Sequence, residues 1–295
     1  MQKSKIKSIL FNLTQNTFTI RLLLFIVLVL IIQIMSMYFL SIKTPTITSK
    51  AATDTCSDPT GTEQYTSTIS SIGSHLAANN NPENYKQIRK LYNCQNPPPA
   101  GGSSNIKTSY IPVVVIYDLF FLKGNVSGIK QNLEDMKKYG LYPVIRIGSY
   151  TKDNGDWIKL YPPTDAVIMA QNLSSALNQI TGFPEKPIVS YFAEVNINLE
   201  WEGQTNPSEF AESFAAFYDA IGIGNFQLYF PSLSYGANIS NGITPADFLQ
   251  QFFASNKFGN RKLDGVDLNI YGTNYDDVKS QYTTQKSAFD NYLTN

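Results

Sequence analysis

From Ile106 onward, short apolar runs alternate with longer stretches in which apolar residues recur every three or four positions. The short runs predict strands and the longer stretches predict amphipathic helices. The predicted strands are Val113–Tyr117, Tyr142–Ile147, Ile188–Ala193, Gln227–Pro231 and Val266–Tyr271. The predicted helices are Gly128–Tyr139, Thr164–Ile180, Pro207–Ala220, Pro245–Phe253 and Asp276–Leu293. This alternation predicts an α/β fold with a parallel sheet, right-handed crossovers and helices on the outside.

The N-terminal region contains an uncharged apolar run of 19 residues, Leu22–Leu40, which is long enough to cross a membrane as a helix. More basic residues precede this run than follow it before residue 51, so residues 1–21 are expected in the cytoplasm and the chain beyond Ser41 outside. We therefore expect a single-pass signal anchor in the cell membrane. A signal peptide cleaved near Ala51 and Ala52 is the alternative.

Two segments are predicted between the membrane helix and the sheet. Residues 41–58 are rich in Thr and Ser and predict a polar stalk. Residues 59–105 predict a helical hairpin followed by a Pro/Gly linker, because two amphipathic stretches flank the breaker at 79–82. Such a hairpin would bring Cys56 beside Cys94, and the oxidising exterior favours a disulfide between them; two free thiols are the alternative. The remaining domain is expected at residues 106–295.

Charge and histidine content exclude several classes of function. The chain beyond Arg21 holds 19 basic and 23 acidic residues, a net charge of −4, whereas a nucleic-acid-binding domain needs clustered cations. His75 is the sole histidine, which excludes a Ser-His-Asp triad and most zinc or iron sites. We expect no cofactor and no metal, although a calcium ion held by carboxylates alone is left open by the sequence.

The most informative stretch surrounds Glu194. The preceding run, Ile188–Phe192, is nearly all apolar or aromatic, as expected for a strand buried on both faces. Glu194 then lies at the carboxyl end of this strand, the edge where active sites collect in (β/α) barrels. Asn196, Asn198, Glu200 and Trp201 follow in one loop. The alternative is a solvated carboxylate at a strand end, with Trp201 covering the core.

Residues 193–203 read Ala-Glu-Val-Asn-Ile-Asn-Leu-Glu-Trp-Glu-Gly. They resemble the N-E-P-N-x-x-x-E-W-G-G stretch that ends the fourth strand in bacterial barrel proteins similar to the retaining glycoside hydrolases of the large (β/α)-barrel clan. The resemblance spans roughly residues 113 to 272 and implies a partial or degenerate TIM barrel, with Glu194 as general acid/base and Asn196, Glu200 and Trp201 lining a sugar cleft. Ala193 and Val195 depart from the pattern, because they replace an asparagine that would bind a sugar hydroxyl and a proline.

The same resemblance assigns roles on neighbouring strands. Arg146 would lie under the cleft and orient a carboxylate, although a structural ion pair inside the barrel is equally consistent because a buried arginine needs an anion. Asn269 and Tyr271 occupy positions that are histidine and tyrosine in the family, so ligand contact is implied there without proton transfer. Trp157 would offer a stacking platform for a sugar ring, or would simply cover the core.

The second carboxylate of a retaining glycosidase lies about 5–5.5 Å from the first. In the family this nucleophile ends strand seven, and the sequence ends before a matching strand; strand one is also without a predicted counterpart. Asp118 is the best substitute by position at a strand end, and Asp267 is a weaker one.

The sequence therefore predicts a membrane-anchored, extracytoplasmic protein that resembles glycoside hydrolases and acts on or binds envelope or extracellular carbohydrate. The alternative is a non-catalytic binding protein in which the cleft persists and hydrolysis does not.

Overall fold

The sheet at the centre of the structure is parallel at every pair of strands. The computed structural model describes residues 58–59, 61–70, 73–76, 81–95, 108–148, 161–201, 204–235, 242–270 and 274–293. The strands are β1 (Tyr65–Ile69), β2 (Ser74–Leu76), β3 (Thr108–Tyr117), β4 (Leu141–Ile147), β5 (Ile188–Tyr191), β6 (Gln227–Phe230) and β7 (Gly265–Val266). Their order is β1-β3-β4-β5-β6-β7, and β2 also pairs with β3. The result is a parallel half-barrel, in which β7 pairs with β6 alone among the described strands.

Helices follow the strands in the predicted alternation. They are α1 (Pro82–Gln95), α2 (Leu119–Leu122), α3 (Val126–Lys138), α4 (Pro163–Leu177), α5 (Pro207–Ile221), α6 (Pro245–Ala254) and α7 (Tyr275–Leu293). Proline begins α4, α5 and α6, a position where its missing N–H removes no helical hydrogen bond. All five helices and the first four strands predicted beyond Ile106 are confirmed, with bounds shifted by a few residues. Of the fifth predicted strand, Val266–Tyr271, only Val266 lies in a strand among the described residues, because β7 is Gly265–Val266.

The core lies between the sheet and the outer helices. Val113, Val115, Ile145 and Val189 on the strands are completely buried. Tyr191 stacks on three phenylalanines of α5, with ring centroids 6.0 Å from Phe210, 5.6 Å from Phe214 and 4.5 Å from Phe217. Burial of each such side chain stabilises the fold by about 1.5–3 kcal/mol relative to exposure, so the sheet is a rigid support for residues at its edges.

The segment that was predicted as the first helix of a hairpin is extended instead. β1 and β2 pair in parallel with β3, and Ser70 N donates to Tyr110 O at 2.7 Å just beyond β1. Thr66, Thr68 and Ile69 are β-branched and favour strands, and the edge of β3 supplies partners for their backbone. The helical-hairpin prediction is therefore wrong in its first half, and the place where strand one was thought to be missing is occupied.

The second half of the predicted hairpin is α1, which is held against the sheet by buried polar contacts. Arg89 is fully buried and donates to the carbonyls of Ser109, Tyr139 and Gly140. On the same helix, the Tyr85 hydroxyl donates to Asn132 Oδ1 at 2.8 Å. The described part of residues 59–105 thus lies within one unit, Cys56–Asn295, together with the sheet, rather than as a separate hairpin.

Several predictions fall outside the described residues. These include the apolar run Leu22–Leu40, the stalk up to residue 57 and the linker after Gln95. Within the described ranges, no helix has the length and apolar character needed to cross a membrane. Cys94 is disulfide-bonded, but Cys56 is outside these ranges, so their pairing stays a prediction.

Candidate functional site

Glu194 lies just past the carboxyl end of β5, in a backbone conformation that is rare for residues other than glycine. Its φ is 51°, and that of the buried Phe192 is 74°. Positive φ at a bulky residue persists only where surrounding contacts impose it, and such residues concentrate at functional sites. Here Glu194 N donates to Ser232 O at 2.7 Å beyond β6, and Ser190 Oγ donates to Phe192 O at 3.3 Å. These two hydrogen bonds therefore fix the backbone position from which the Glu194 side chain projects.

A salt bridge crosses the interior of the half-barrel beside this residue. Arg146 on β4 donates from Nε and Nη2 to the two carboxylate oxygens of Asp267, at 2.8 and 3.0 Å. Only 12% of the Arg146 side chain and 15% of the Asp267 side chain are exposed. The structure thus supports the ion-pair alternative for Arg146, and its direct partner is Asp267 rather than Glu194.

Asn269 connects this salt bridge to Glu194. Its Oδ1 accepts a hydrogen bond from Arg146 Nη2 at 2.9 Å, and its Nδ2 donates to Glu194 Oε1 at 3.1 Å. Because a guanidinium has only donors, the amide oxygen of Asn269 must face Arg146 and the amide nitrogen must face Glu194. The four side chains form one directed chain of contacts from Asp267 to Glu194.

The two carboxylates at this edge have different chemical roles. Both oxygens of Asp267 accept hydrogen bonds from Arg146, so its charge is balanced by the guanidinium and neither oxygen is free to attack. Glu194 has no cation among the ion pairs of the described residues, and it is only partly buried. Among the described side chains, the site therefore offers one available carboxylate, which can accept hydrogen bonds from a ligand or exchange a proton with it.

Asn196 and Trp201, predicted to contact substrate, have structural contacts instead. Asn196 is fully buried, and its Nδ2 donates to Ser234 O at 2.8 Å and Ile243 O at 2.9 Å. Trp201 is 3% exposed and donates from Nε1 to Val195 O at 2.6 Å. These bonds use both amide hydrogens of Asn196 and the indole hydrogen, so the two side chains hold the loop that carries Glu194.

The remaining predicted residues are not brought to Glu194 by any described contact. Asp118 Oδ1 accepts from Phe121 N at 2.8 Å and so caps α2. Glu200 lies in a short 3-10 helix, Asn198–Trp201, but its side chain is outside the described part of the chain. Trp157 and Tyr271 are also outside it, so their predicted roles stay predictions.

Two residues that contact the site were not predicted. Ser232 directly follows the predicted strand Gln227–Pro231, so the rule that functional residues collect at carboxyl ends could have identified it. Gln285 of α7 donates from Nε2 to Asn269 O at 2.7 Å. The sequence around it is polar and carries no signal for this contact.

A sizeable cavity among the described residues lies away from Glu194. It has a volume of about 950 Å³ and is lined by the segment Gly259–Val266, which leads into β7, together with residues of α6 and α7. Two of its charged residues are already in ion pairs, Arg261 with Asp219 and Asp290 with Lys286. We therefore place the candidate site at Glu194, where strand ends converge. The described residues include no cluster of three side chains suited to a metal ion.

Comparison with known proteins finds similarity to solved structures alone. No protein-family model matches the chain, and no curated protein does. A solved structure described as a GH5-4 broad specificity endoglucanase from an uncultured bacterium aligns with a TM-score of 0.45 and 13% identity, over 75% of this chain and 72% of that chain. The endoglucanase activity belongs to that protein.

Proposed function

We propose that the carboxyl edge of the half-barrel binds carbohydrate through Glu194 and does not hydrolyse it. The observation that carries this proposal is that Glu194 is the one available carboxylate among the described side chains of the site, held in a fixed orientation by two strand ends and Asn269. Sugar hydroxyls are donors, and an oriented carboxylate is a strong acceptor for them. The resemblance of residues 193–203 to the glycoside hydrolase pattern agrees with a sugar ligand.

Hydrolysis with retention requires a second carboxylate that is free to attack. Asp267 is held by Arg146 through both oxygens, and Asp118 caps a helix. A hydrolase is the second candidate function, favoured by the absence of a cationic partner for Glu194 among the described ion pairs. In that reaction Glu194 would protonate the departing glycosidic oxygen.

The proposal also covers the location of the half-barrel and the class of its ligand. We propose that the chain is anchored by Leu22–Leu40 and that the half-barrel faces outward, where the carbohydrate of the cell envelope or its surroundings is the available ligand. The proposal includes no nucleic acid and no cofactor.

The test compares binding and turnover in the full chain. Soluble envelope and plant polysaccharides are titrated calorimetrically, and aryl glycosides are assayed for hydrolysis. We expect binding without turnover, and Glu194→Gln should weaken binding by about tenfold, because a hydrogen bond to a carboxylate contributes about 1.5–3 kcal/mol and one to the neutral amide oxygen that replaces it about 0.5–1.5 kcal/mol. Glu185→Gln, at the opposite end of β5, is the matched control and should bind as the wild type does.

Hydrolysis that Glu194→Gln abolishes would establish the hydrolase instead, since loss of a general acid reduces the rate by about 10²–10⁴-fold. Asp118→Asn would then be the next variant to assay. Absence of binding to every carbohydrate would contradict both functions.

A further inference from the structure

Gln285 connects the last helix to the Glu194 site. It lies in the buried part of α7 and is itself fully buried. Its Nε2 donates to the backbone carbonyl of Asn269 at 2.7 Å. Asn269 is the residue whose side chain binds both Arg146 and Glu194. One glutamine therefore contacts the backbone of the residue on which the site depends.

The backbone at Asn269 lies beyond the strand pairing of the described sheet. The ladder between β6 and β7 ends with Phe230 opposite Val266, followed by a hydrogen bond of 2.8 Å from Asp267 N to Phe230 O. Asn269 lies two residues further on, beyond β7. A carboxamide carries the same donor and acceptor as a peptide group, so Gln285 supplies from a helix the kind of hydrogen bond that a neighbouring strand would supply.

Glutamine at position 285 is less favourable than an apolar residue if packing is its only role. Its Oε1 is buried without a hydrogen-bond partner among the described residues. Burial of an unpaired amide oxygen is costly, whereas leucine or methionine would fill this space without a buried polar atom. Departures from favourable packing are concentrated where a residue serves a site.

We propose that Gln285 is a positioning residue of the Glu194 site: it fixes the Asn269 backbone, and through it the amide that orients the Glu194 carboxylate. Helix α7 is then part of the binding site without touching the ligand. The positioning of Glu194 stands on the contacts alone, and its effect on carbohydrate binding rests on the proposed function.

The first measurement does not require a ligand. The full chain is labelled with ¹⁵N-asparagine, and the side-chain amide of Asn269 is assigned by its loss in Asn269→Asp. We expect Gln285→Met, which keeps the size and removes the donor, to shift or broaden this amide signal. Phe289→Leu, which loosens the packing of the same helix and keeps Gln285, is the matched control and should leave the signal in place.

The second measurement uses the best-bound polysaccharide from the binding titrations. We expect Gln285→Met and Asn269→Leu each to weaken binding several-fold, and the double variant to be no weaker than Asn269→Leu, because the two act through one contact. An Asn269 amide signal that is unchanged in Gln285→Met would overturn the proposal, and so would additive losses. If no polysaccharide binds, the amide signal alone decides whether Gln285 positions the site, and only the proposed function fails.

Discussion

Arg146 and Asp267 form a two-point salt bridge, although 121 residues separate them along the chain. Their side chains are largely buried, and they join β4 to the segment after β7 across the half-barrel. The pair therefore fixes the distance between a central strand and an edge strand that is paired on one side only in the described sheet.

Removal of one partner of this salt bridge should be strongly destabilising. We expect Arg146→Met to lower the free energy of unfolding by about 3–5 kcal/mol, because it leaves the Asp267 carboxylate buried without a cation. Arg146→Met combined with Asp267→Leu should regain much of that loss. Urea unfolding measures both. Lys257→Met, whose partner Glu212 is 55% exposed, should cost at most about 1 kcal/mol; a comparable loss in that control would contradict the argument.

The stability of the N-terminal segment should depend on acidic pH through Asp58. Lys86 and Lys90 hold this carboxylate from two sides at 2.7 Å, and their hydrogen bonds lower the pKa of Asp58 from 3.8 to about 2. Because the pKa is lower in the folded state, this contribution is complete above about pH 4 and is lost as the pH falls towards 2.

The test is the difference in unfolding free energy between the wild type and Asp58→Asn as a function of pH. We expect the difference to shrink between about pH 4 and 2, and to be reduced by added salt, because the groups are exposed. A difference that stays constant over this range would show that the lysines do not stabilise the folded state through Asp58.

Cys94 should be joined to Cys56. Mass mapping without reduction should recover a peptide pair containing both residues, and Cys94→Ser should lower the free energy of unfolding by roughly 3–4 kcal/mol for a loop of this length. The sheet should remain folded in that variant, since Arg89 and Tyr85 still hold α1. Recovery of Cys56 as a free thiol would refute the pairing.

The topology prediction can be checked on intact cells. If Leu22–Leu40 spans the membrane with the N-terminus inside, added protease should remove the chain beyond Ser41 and leave the first twenty residues protected. Resistance of the half-barrel to protease until the cells are lysed would show that it lies on the cytoplasmic side of the membrane.

The part of the fold that was predictable from sequence is the part with a clear period. Strands such as Val113–Tyr117 and helices such as Pro207–Ala220 bury one repeated set of positions, and that repeat is visible in the residue types. The N-terminal strands were missed because Ile69, Ile72 and Leu76 recur at helical spacing. Their strand conformation depends on pairing with β3, a partner that lies more than thirty residues away.

The candidate site was predictable in its strand-end residues and not in its loop residues. Glu194, Arg146 and Asn269 lie at or near carboxyl ends, and the structure joins them through Asn269. Whether Asn196 faces a ligand or a backbone carbonyl depends on the path of the loop after β6. In the structure, Ser234 O in that loop accepts a hydrogen bond from Asn196 Nδ2. No local pattern in the sequence specifies that approach.

Because the site residues lie far apart along the chain, the ribosome synthesises them at different times. Arg146 is synthesised with β4, Glu194 follows β5, and Asp267 and Asn269 come with β7. Because chains begin to fold during synthesis, a nascent chain that has already joined β4 to β5 holds an arginine whose carboxylate has yet to be made. Translation arrested before residue 267 would leave Glu194 without its amide partner, so the carboxyl edge of the sheet is completed only after β7 has been made.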